Sequence, residues 1–287
     1  MPIVSVLLVF CLVCGELTGR ICEGEVMRKK SLAIMLSLFA LIILVVVLSS
    51  TIFSLSKVEL SFAEIPTTYS SKDSETILKS GKFKHGQSIF LVSKKQHIKN
   101  IEENYPRLRV LNIETRFPNK LVVTVIERQD FLALYNVGVE KYYIVDGQMK
   151  VLRVVNDAAS VGTVSKCLVT QNLSSYTFGD FIKYDNEIRV LATLQEAFWR
   201  CGYSEKQANQ WVKSVYVDTT KDELTVNSYC KFRITIKAPS EKLAEKLFAG
   251  SGTVFNNNGV GEDFVGNILV YENKSEQKIY ANAILNG

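Results

Sequence analysis

One uncharged stretch constrains this chain more than any other feature of its sequence. Residues 31–56 contain no ionisable side chain, and the basic triplet Arg28-Lys29-Lys30 stands directly before them. A helix over 31–56 would extend ~39 Å at ~1.5 Å per residue, more than the ~30 Å hydrocarbon layer of a bilayer. Because clustered basic residues stay on the cytoplasmic side, we predict a single-pass type II membrane protein. Its parts are a cytoplasmic tail over 1–30, a transmembrane helix over 31–56, and residues 57–287 outside.

The first 26 residues leave two translation starts open. Residues 3–13 are apolar, but this run is too short to cross a bilayer and is similar to the apolar part of a secretory signal. Residues 28–55 already have the basic-then-apolar order of a complete signal anchor. We therefore interpret Met27 as the true start and 1–26 as an over-extended reading frame, with Met1 as the alternative.

Charge and cysteine content exclude two classes of protein. Residues 57–287 carry 30 basic and 26 acidic side chains, a balance too even for a nucleic-acid-binding surface. Three cysteines follow the apolar stretch, Cys167, Cys201 and Cys230, and neither their odd number nor their spacing fits a disulfide framework. We expect them to be buried reduced thiols, and we expect no nucleic-acid partner.

Residues that could perform catalysis are scarce. The two histidines are His85, in a predicted loop, and His97, on the polar side of a predicted helix, and neither has a cysteine or carboxylate at metal-ligand spacing. The sequence contains no G-x-S-x-G or H-E-x-x-H motif. The prediction is therefore a protein that is not an enzyme, with no catalytic residue, metal site, cofactor or small-molecule substrate.

Residues 57–128 have the pattern of a small α+β module. Alternating apolar residues predict a first strand over 57–62, two helices follow, and two apolar runs at 108–114 and 121–126 predict a pair of strands. The order β-α-α-β-β predicts a small sheet with both helices on one face. Arg116, Glu127 and Arg128 begin and end the paired strands, where we expect modest surface ion pairs.

Residues 129–287 predict a larger mixed α+β domain with a mostly antiparallel sheet. Short strand patterns alternate with a helix that begins at Asp185 or Asn186, on which we expect Trp199 to be partly buried. A further helix begins near Ser240, and Gly250 is its expected end. The last two predicted strands are 267–271 and 277–283, and a terminal strand is often the edge of its sheet.

Several motifs together resemble one known family. The residues that carry the resemblance are Ser88-Ile89-Phe90, the helix end at Tyr105-Pro106, the strand pair Arg116-Phe117-Pro118-Asn119-Lys120-Leu121-Val122-Val123-Thr124-Val125-Ile126-Glu127-Arg128, and a hairpin over Tyr143-Ile144-Val145-Asp146-Gly147-Gln148-Met149-Lys150-Val151-Leu152. They resemble the POTRA module of the bacterial division proteins FtsQ and DivIB. The likeness covers 28 to about 155, whereas the second half is similar only in outline, to the family's β domain. One departure there is Ser228, which stands where the family has a hairpin glycine.

The resemblance implies a non-catalytic divisome scaffold located at the septum, which helps to control septal wall synthesis. Members bind the ectodomains of FtsB/DivIC-like and FtsL-like single-pass proteins through the last strands of the β domain. By position, the corresponding residues here are Tyr271, Lys278, Ile279, Tyr280 and Ala281. A partner strand would then add to the edge of the sheet.

Three other interpretations stay open from the sequence. The last strand could only close the sheet, with no partner. The chain could instead be a POTRA-type chaperone or a secretion component that receives substrate strands, although such proteins usually carry several modules or a barrel. A membrane-tethered enzyme with unrecognised chemistry is the third, and it would need a cavity that gathers titratable groups.

Overall fold

The computed structural model describes residues 34–43, 52–169, 173–183, 185–256, 259–261 and 263–285. The predicted tail, the two candidate starts, and residues 31–33 and 44–51 of the predicted transmembrane helix lie outside the described residues. Residues 34–43 are helical and their apolar side chains are mostly exposed. Within the described ranges, no helix combines the length and the apolar character that crossing a bilayer requires.

The chain divides into two compact units. Among the described residues, the first unit holds those up to Glu59 together with Phe83–Ser93 and Glu114–Val122. The second holds the described residues of Leu60–Lys82, Lys94–Ile113 and Val123–Gly287.

The first part of the chain has the predicted β-α-α-β-β order. Its three strands form a sheet in the order β1-β3-β2, and the middle strand β3 is apolar on both faces, as its sequence predicts. The elements are β1 (Lys57–Phe62), α1 (Ser74–Ser80), α2 (Lys94–Asn104), β2 (Leu108–Arg116) and β3 (Lys120–Glu127), with short 3-10 turns at Ser71–Asp73 and Ile89–Leu91.

His97 on α2 is buried, and the prediction that it lies on the polar side of its helix is wrong. Its Nδ1 lies 2.7 Å from the carbonyl oxygen of Gly81, and the amide of Asn100 donates to the same oxygen at 3.3 Å. Gly81 directly follows α1, so this carbonyl is one of those that a helix end leaves unpaired. His97 therefore serves to connect the two helices.

The rest of the chain forms a nine-stranded sheet with helices. The strand order is β12-β11-β10-β9-β8-β7-β4-β5-β6, and all neighbouring pairs are antiparallel except β10-β11, β4-β7 and β7-β8. The mostly antiparallel sheet agrees with the sequence prediction. Its strands are β4 (Leu132–Asn136), β5 (Lys141–Val145), β6 (Val151–Val155), β7 (Ser165–Val169), β8 (Val212–Asp218), β9 (Glu223–Ser228), β10 (Phe232–Lys237), β11 (Gly266–Asn273) and β12 (Lys278–Leu285).

Three helices accompany this sheet: α3 (Asn186–Arg200), α4 (Glu205–Trp211) and α5 (Leu243–Phe255). Asp185 caps α3 through a hydrogen bond from the Ile188 amide, and Ser204 with Gln207 forms a capping box before α4. The apolar face of α3 is buried, but Trp199 is 76% exposed, so the expectation that Trp199 is partly buried is wrong. It lies one position beyond Phe198, which is buried in the core, and one residue along a helix turns the side chain away.

Gly250 lies inside α5, and the prediction that it ends the helix is wrong. A Cβ at this position would lie 2.7 Å from Ile234 Cγ2 and 3.1 Å from Val270 Cγ2. The glycine therefore lets α5 approach strands β10 and β11 closely. Since a close approach and a helix end use the same residue type, the sequence alone could not separate the two roles.

The hairpin between β9 and β10 accommodates the missing glycine at Ser228. The Ser228 hydroxyl accepts a hydrogen bond from the Cys230 amide at 2.8 Å, and Lys231 takes the left-handed conformation with φ of 70°. Ser228 and Lys231 thus form a turn in which glycine would adopt the left-handed conformation with less strain.

Candidate partner-binding surface

Strand β12 forms one edge of the nine-stranded sheet. Among the described strands it pairs with β11 only, in antiparallel register from Lys278 opposite Asn273 to Leu285 opposite Gly266. Its outer side therefore presents backbone N–H and C=O groups that no described strand uses. Such groups are the requirement for strand addition.

The predicted site residues on β12 divide between its two faces. Ile279 and Ala281 are half-buried and pack against the core cluster that includes Val270. Tyr280 and the exposed Lys278 lie on the opposite face, because side chains alternate along a strand. One face of β12 thus packs against the core, and the opposite face is available for contact with a partner.

Tyr271 and Tyr280 form a pair on the face away from the core. They are directly opposite each other in the β11-β12 register, and their rings stack with centroids 5.8 Å apart and an angle of 24°. The Tyr280 hydroxyl donates to the carboxylate of Glu276, and this bond raises the pKa of Tyr280. The structure therefore places all five predicted residues on two paired strands, Tyr271 on β11 and Lys278 to Ala281 on β12.

Two lysines, one on α5 and one just before it, make polar contacts with the strands next to the edge. Lys246 is buried and donates through Nζ to the carbonyl oxygens of Lys237 at 2.9 Å and Ala238 at 2.8 Å. Burial lowers the pKa of Lys246. Lys242, just before α5, pairs with Glu272 on β11. These contacts connect β10 and β11, the strands beside the exposed strand β12, to α5 and its first flanking residue.

Arg128 has a buried role that its local sequence does not indicate. Its side chain is 3% exposed and its guanidinium donates to Glu102 at 3.0 Å, to Gln148 at 2.9 Å and to Asp146. It also donates through Nε to the Leu108 carbonyl at 3.3 Å. The expectation of a modest surface pair is therefore wrong for Arg128.

The Asp146 carboxylate also orders its own turn. Its Oδ1 accepts from the amides of Gln148 and Lys150, both at 2.9 Å. Lys150 in turn donates to the carbonyl oxygen of Glu102 at 3.1 Å, and burial lowers its pKa. Arg128 and Asp146 belong to the two separate motifs that carry the family resemblance, so the structure joins these motifs through one ion pair.

Glu127 is buried as well, and the surface expectation is wrong here too. Its carboxylate accepts hydrogen bonds from the amides of Thr67 at 2.6 Å and Thr68 at 3.0 Å, and from both threonine hydroxyls. Burial alone would raise the pKa of Glu127, but these four bonds outweigh it and lower that pKa. Only Arg116 behaves as expected, in an exposed pair with Glu114 at 3.7 Å.

A cleft beside Glu127 gathers several charged groups. Asp130 lies in it between Arg153, at 2.8 Å, and Arg107, at 3.7 Å. The carboxylates of Glu127 and Asp130 in this cleft are thus engaged with threonines and arginines. Among the described residues, no cluster of histidine, cysteine or carboxylate side chains could hold a metal ion.

The described cysteines are reduced thiols, as expected, but only Cys167 is fully buried. Burial raises its pKa well above the usual range, and it raises the pKa of Cys201 to about 11. Cys201 and Cys230 are half-buried. Thiols with raised pKa values are poor nucleophiles, since the thiolate is the reactive form.

Comparison with known proteins gives a match to a protein-family model. Residues 69–128 match the family model described as "POTRA domain, FtsQ-type". No curated protein matches the chain. The match confirms the resemblance predicted from the motifs, and it indicates a division-related protein-interaction role. It begins after β1 and ends at Arg128, so the nine-stranded sheet lies beyond it.

Proposed function

We propose that this chain, whose residues 69–128 belong to the FtsQ-type POTRA family, is a single-pass divisome scaffold. Its extracytoplasmic part would bind FtsB/DivIC-like and FtsL-like ectodomains at the division septum and so help to control septal wall synthesis. The apolar run that begins at Ser31 would span the cell membrane, with the N-terminus in the cytoplasm.

The single observation that carries the proposal is the open edge at β12. The partner would add a strand there, with Ile279 and Ala281 holding the edge against the core and Tyr271, Lys278 and Tyr280 contacting the partner's side chains. Backbone hydrogen bonds would supply the affinity and the stacked tyrosines part of the specificity. Since few charges take part, we expect binding to depend weakly on salt.

Two proline variants test this mode of binding. In an antiparallel edge strand the N–H groups of successive residues point alternately toward the neighbour strand and outward. Of Ile279→Pro and Tyr280→Pro, one therefore removes an outward donor and the other removes a bond to β11. We expect the outward variant to remain folded and lose partner capture in a pull-down with the purified FtsB/DivIC-like ectodomain.

The matched control is Val154→Pro on β6, the opposite edge of the same sheet. Circular dichroism of each variant monitors folding. Strand addition at β12 would be refuted if both β12 variants fold and still bind, or if Val154→Pro alone abolishes binding.

The alternative is a POTRA-type chaperone or assembly component, which would use the same edge to receive many substrate strands. A fluorescent fusion of the full chain separates the two roles in dividing cells. Septal enrichment supports the scaffold, whereas uniform membrane fluorescence supports the alternative. Capture of one defined partner rather than of assorted unfolded chains would point the same way.

A further inference from the structure

An aromatic patch lies in the first unit, far along the sequence from β12. Phe53, Phe90 and Phe117 come from three separate segments, yet their ring centroids lie only 5.4 to 6.0 Å apart. Phe90 is 63% exposed and Phe117 is 65% exposed, and the neighbouring Leu91 is 66% exposed. We call Phe53, Phe90, Leu91 and Phe117 the aromatic patch. Clustered exposed apolar side chains of this kind indicate a contact surface.

The segment that carries Phe53 is built into the module by backbone hydrogen bonds. The Ile89 amide donates to the Phe53 carbonyl at 2.9 Å, the Leu55 amide donates to Gln87 at 2.8 Å, and the Gly86 amide donates to Leu55 at 2.9 Å. Leu55 is itself buried. Phe53 to Ser56, the last residues of the apolar run, are therefore part of the folded module.

This continuity identifies what the patch contacts. If the apolar residues that precede Phe53 cross the membrane, Phe53 lies at the end of the span, and the rings packed on it must lie near the same depth. Aromatic and leucine side chains are favoured at the boundary between lipid headgroups and acyl chains. Arg116, next to Phe117 and exposed, suits the phosphate groups at that boundary.

We propose that the aromatic patch inserts into the outer interface of the lipid bilayer and fixes the module on the membrane surface. This inference rests on the membrane topology proposed above, but not on the partner or on the β12 edge. It makes the patch a second point of attachment beside the transmembrane helix. The module would then have one orientation on the membrane and not rotate freely above it.

Depth-dependent fluorescence quenching tests the insertion in the full chain. The protein is reconstituted in vesicles of phosphatidylcholine and phosphatidylglycerol, with or without lipids brominated high on the acyl chain. Phe117→Trp and Phe90→Trp each add one fluorophore to a chain whose native tryptophans are Trp199 and Trp211. The matched control is Phe248→Trp, since Phe248 is 60% exposed on α5.

We expect brominated vesicles to quench the emission added by Phe117→Trp and Phe90→Trp, and to leave the emission added by Phe248→Trp unchanged. Equal quenching for the patch and control variants would overturn the proposal. So would patch emission that responds only when the partner ectodomain is added, since the patch would then contact protein.

Flotation of the same vesicles distinguishes the possible failures. A chain that does not float with the vesicles overturns the membrane topology together with the patch. A chain that floats without quenching overturns the patch alone. The proline variants of β12 report on partner binding independently of both results.

Discussion

Arg128 and strand β12 show opposite uses of polar groups within one compact unit. Around Arg128, the guanidinium, two carboxylates and several backbone groups satisfy one another, and the side chain is almost fully buried. Along the outer side of β12, the backbone groups are used by no described strand, and the side chains are half-buried or exposed. Satisfied polar groups stabilise a fold, whereas unused ones at an edge can bind a partner.

The comparison also separates the effects expected from mutation. Changes near Arg128 should appear as loss of stability, because a buried charge would lose its partner. Changes on β12 should appear as loss of binding with the fold intact. If variants of Arg128 and of β12 lost stability and binding to the same extent, this distinction between the two regions would be wrong.

The largest effect is expected from Arg128→Met. Removing the guanidinium leaves the carboxylates of Glu102 and Asp146 without their cationic partner in a largely buried site, which typically costs about 3–5 kcal/mol. Urea denaturation of the full chain in detergent micelles measures the loss. The matched control is Arg116→Ala, whose exposed pair with Glu114 is expected to contribute about 0–1 kcal/mol. Equal stabilities for the two variants would show that Arg128 is not structural.

A smaller effect, dependent on pH, is expected from Glu127→Gln. The amide can accept with only one of its two terminal atoms, so hydrogen bonds from Thr67 or Thr68 are lost, at a cost of about 1–3 kcal/mol near neutral pH. Because the folded-state pKa of Glu127 is lowered, its stabilising effect is complete above the unfolded pKa of about 4.3 and disappears as the pH falls through the folded value.

The free energies of unfolding of Glu127→Gln and the unmodified chain should therefore converge in acid. Urea denaturation at a series of pH values measures this difference. A difference that stays constant from neutral to acidic pH would mean that the ionised carboxylate contributes nothing. Glu114→Gln is the control, since Glu114 is exposed and should change stability little at any pH.

The sequence predicted the parts of this fold that depend on local pattern. The short strand patterns located β11 and β12 within a few residues, and chain order located the sheet edge. Prediction from the sequence failed where residues from distant segments meet. Nothing local to Glu127-Arg128 indicates that Thr67, Glu102 and Asp146 surround them, and the strand β7 around the buried Cys167 was not identified from its short sequence.

The same limit explains the error at Gly250. Gly250 and Trp199 have ordinary helical surroundings in the sequence, and only the position of β10 and β11 shows why the first must be small. The aromatic patch was also beyond sequence reasoning, since its three phenylalanines are separated by more than 25 residues at each step. Packing between distant segments, which no local pattern encodes, determined Gly250 and the aromatic patch, whereas the exposure of Trp199 follows from the helical period beside Phe198.

The smallest effect is expected from Tyr280→Phe. The substitution removes the hydroxyl that donates to Glu276 but keeps the ring stacked on Tyr271. Both groups of the lost hydrogen bond are exposed, so stability should change by less than about 0.5 kcal/mol, and partner capture should be retained because the outer backbone groups are unchanged. Tyr280→Ala, which also removes the ring, should weaken capture relative to Tyr280→Phe, since aromatic pairs contribute about 0.5–1.5 kcal/mol beyond their burial. Isothermal titration with the partner ectodomain compares the two variants, and a large loss of affinity for Tyr280→Phe would mean that a side-chain hydroxyl, rather than the strand edge, determines recognition at β12.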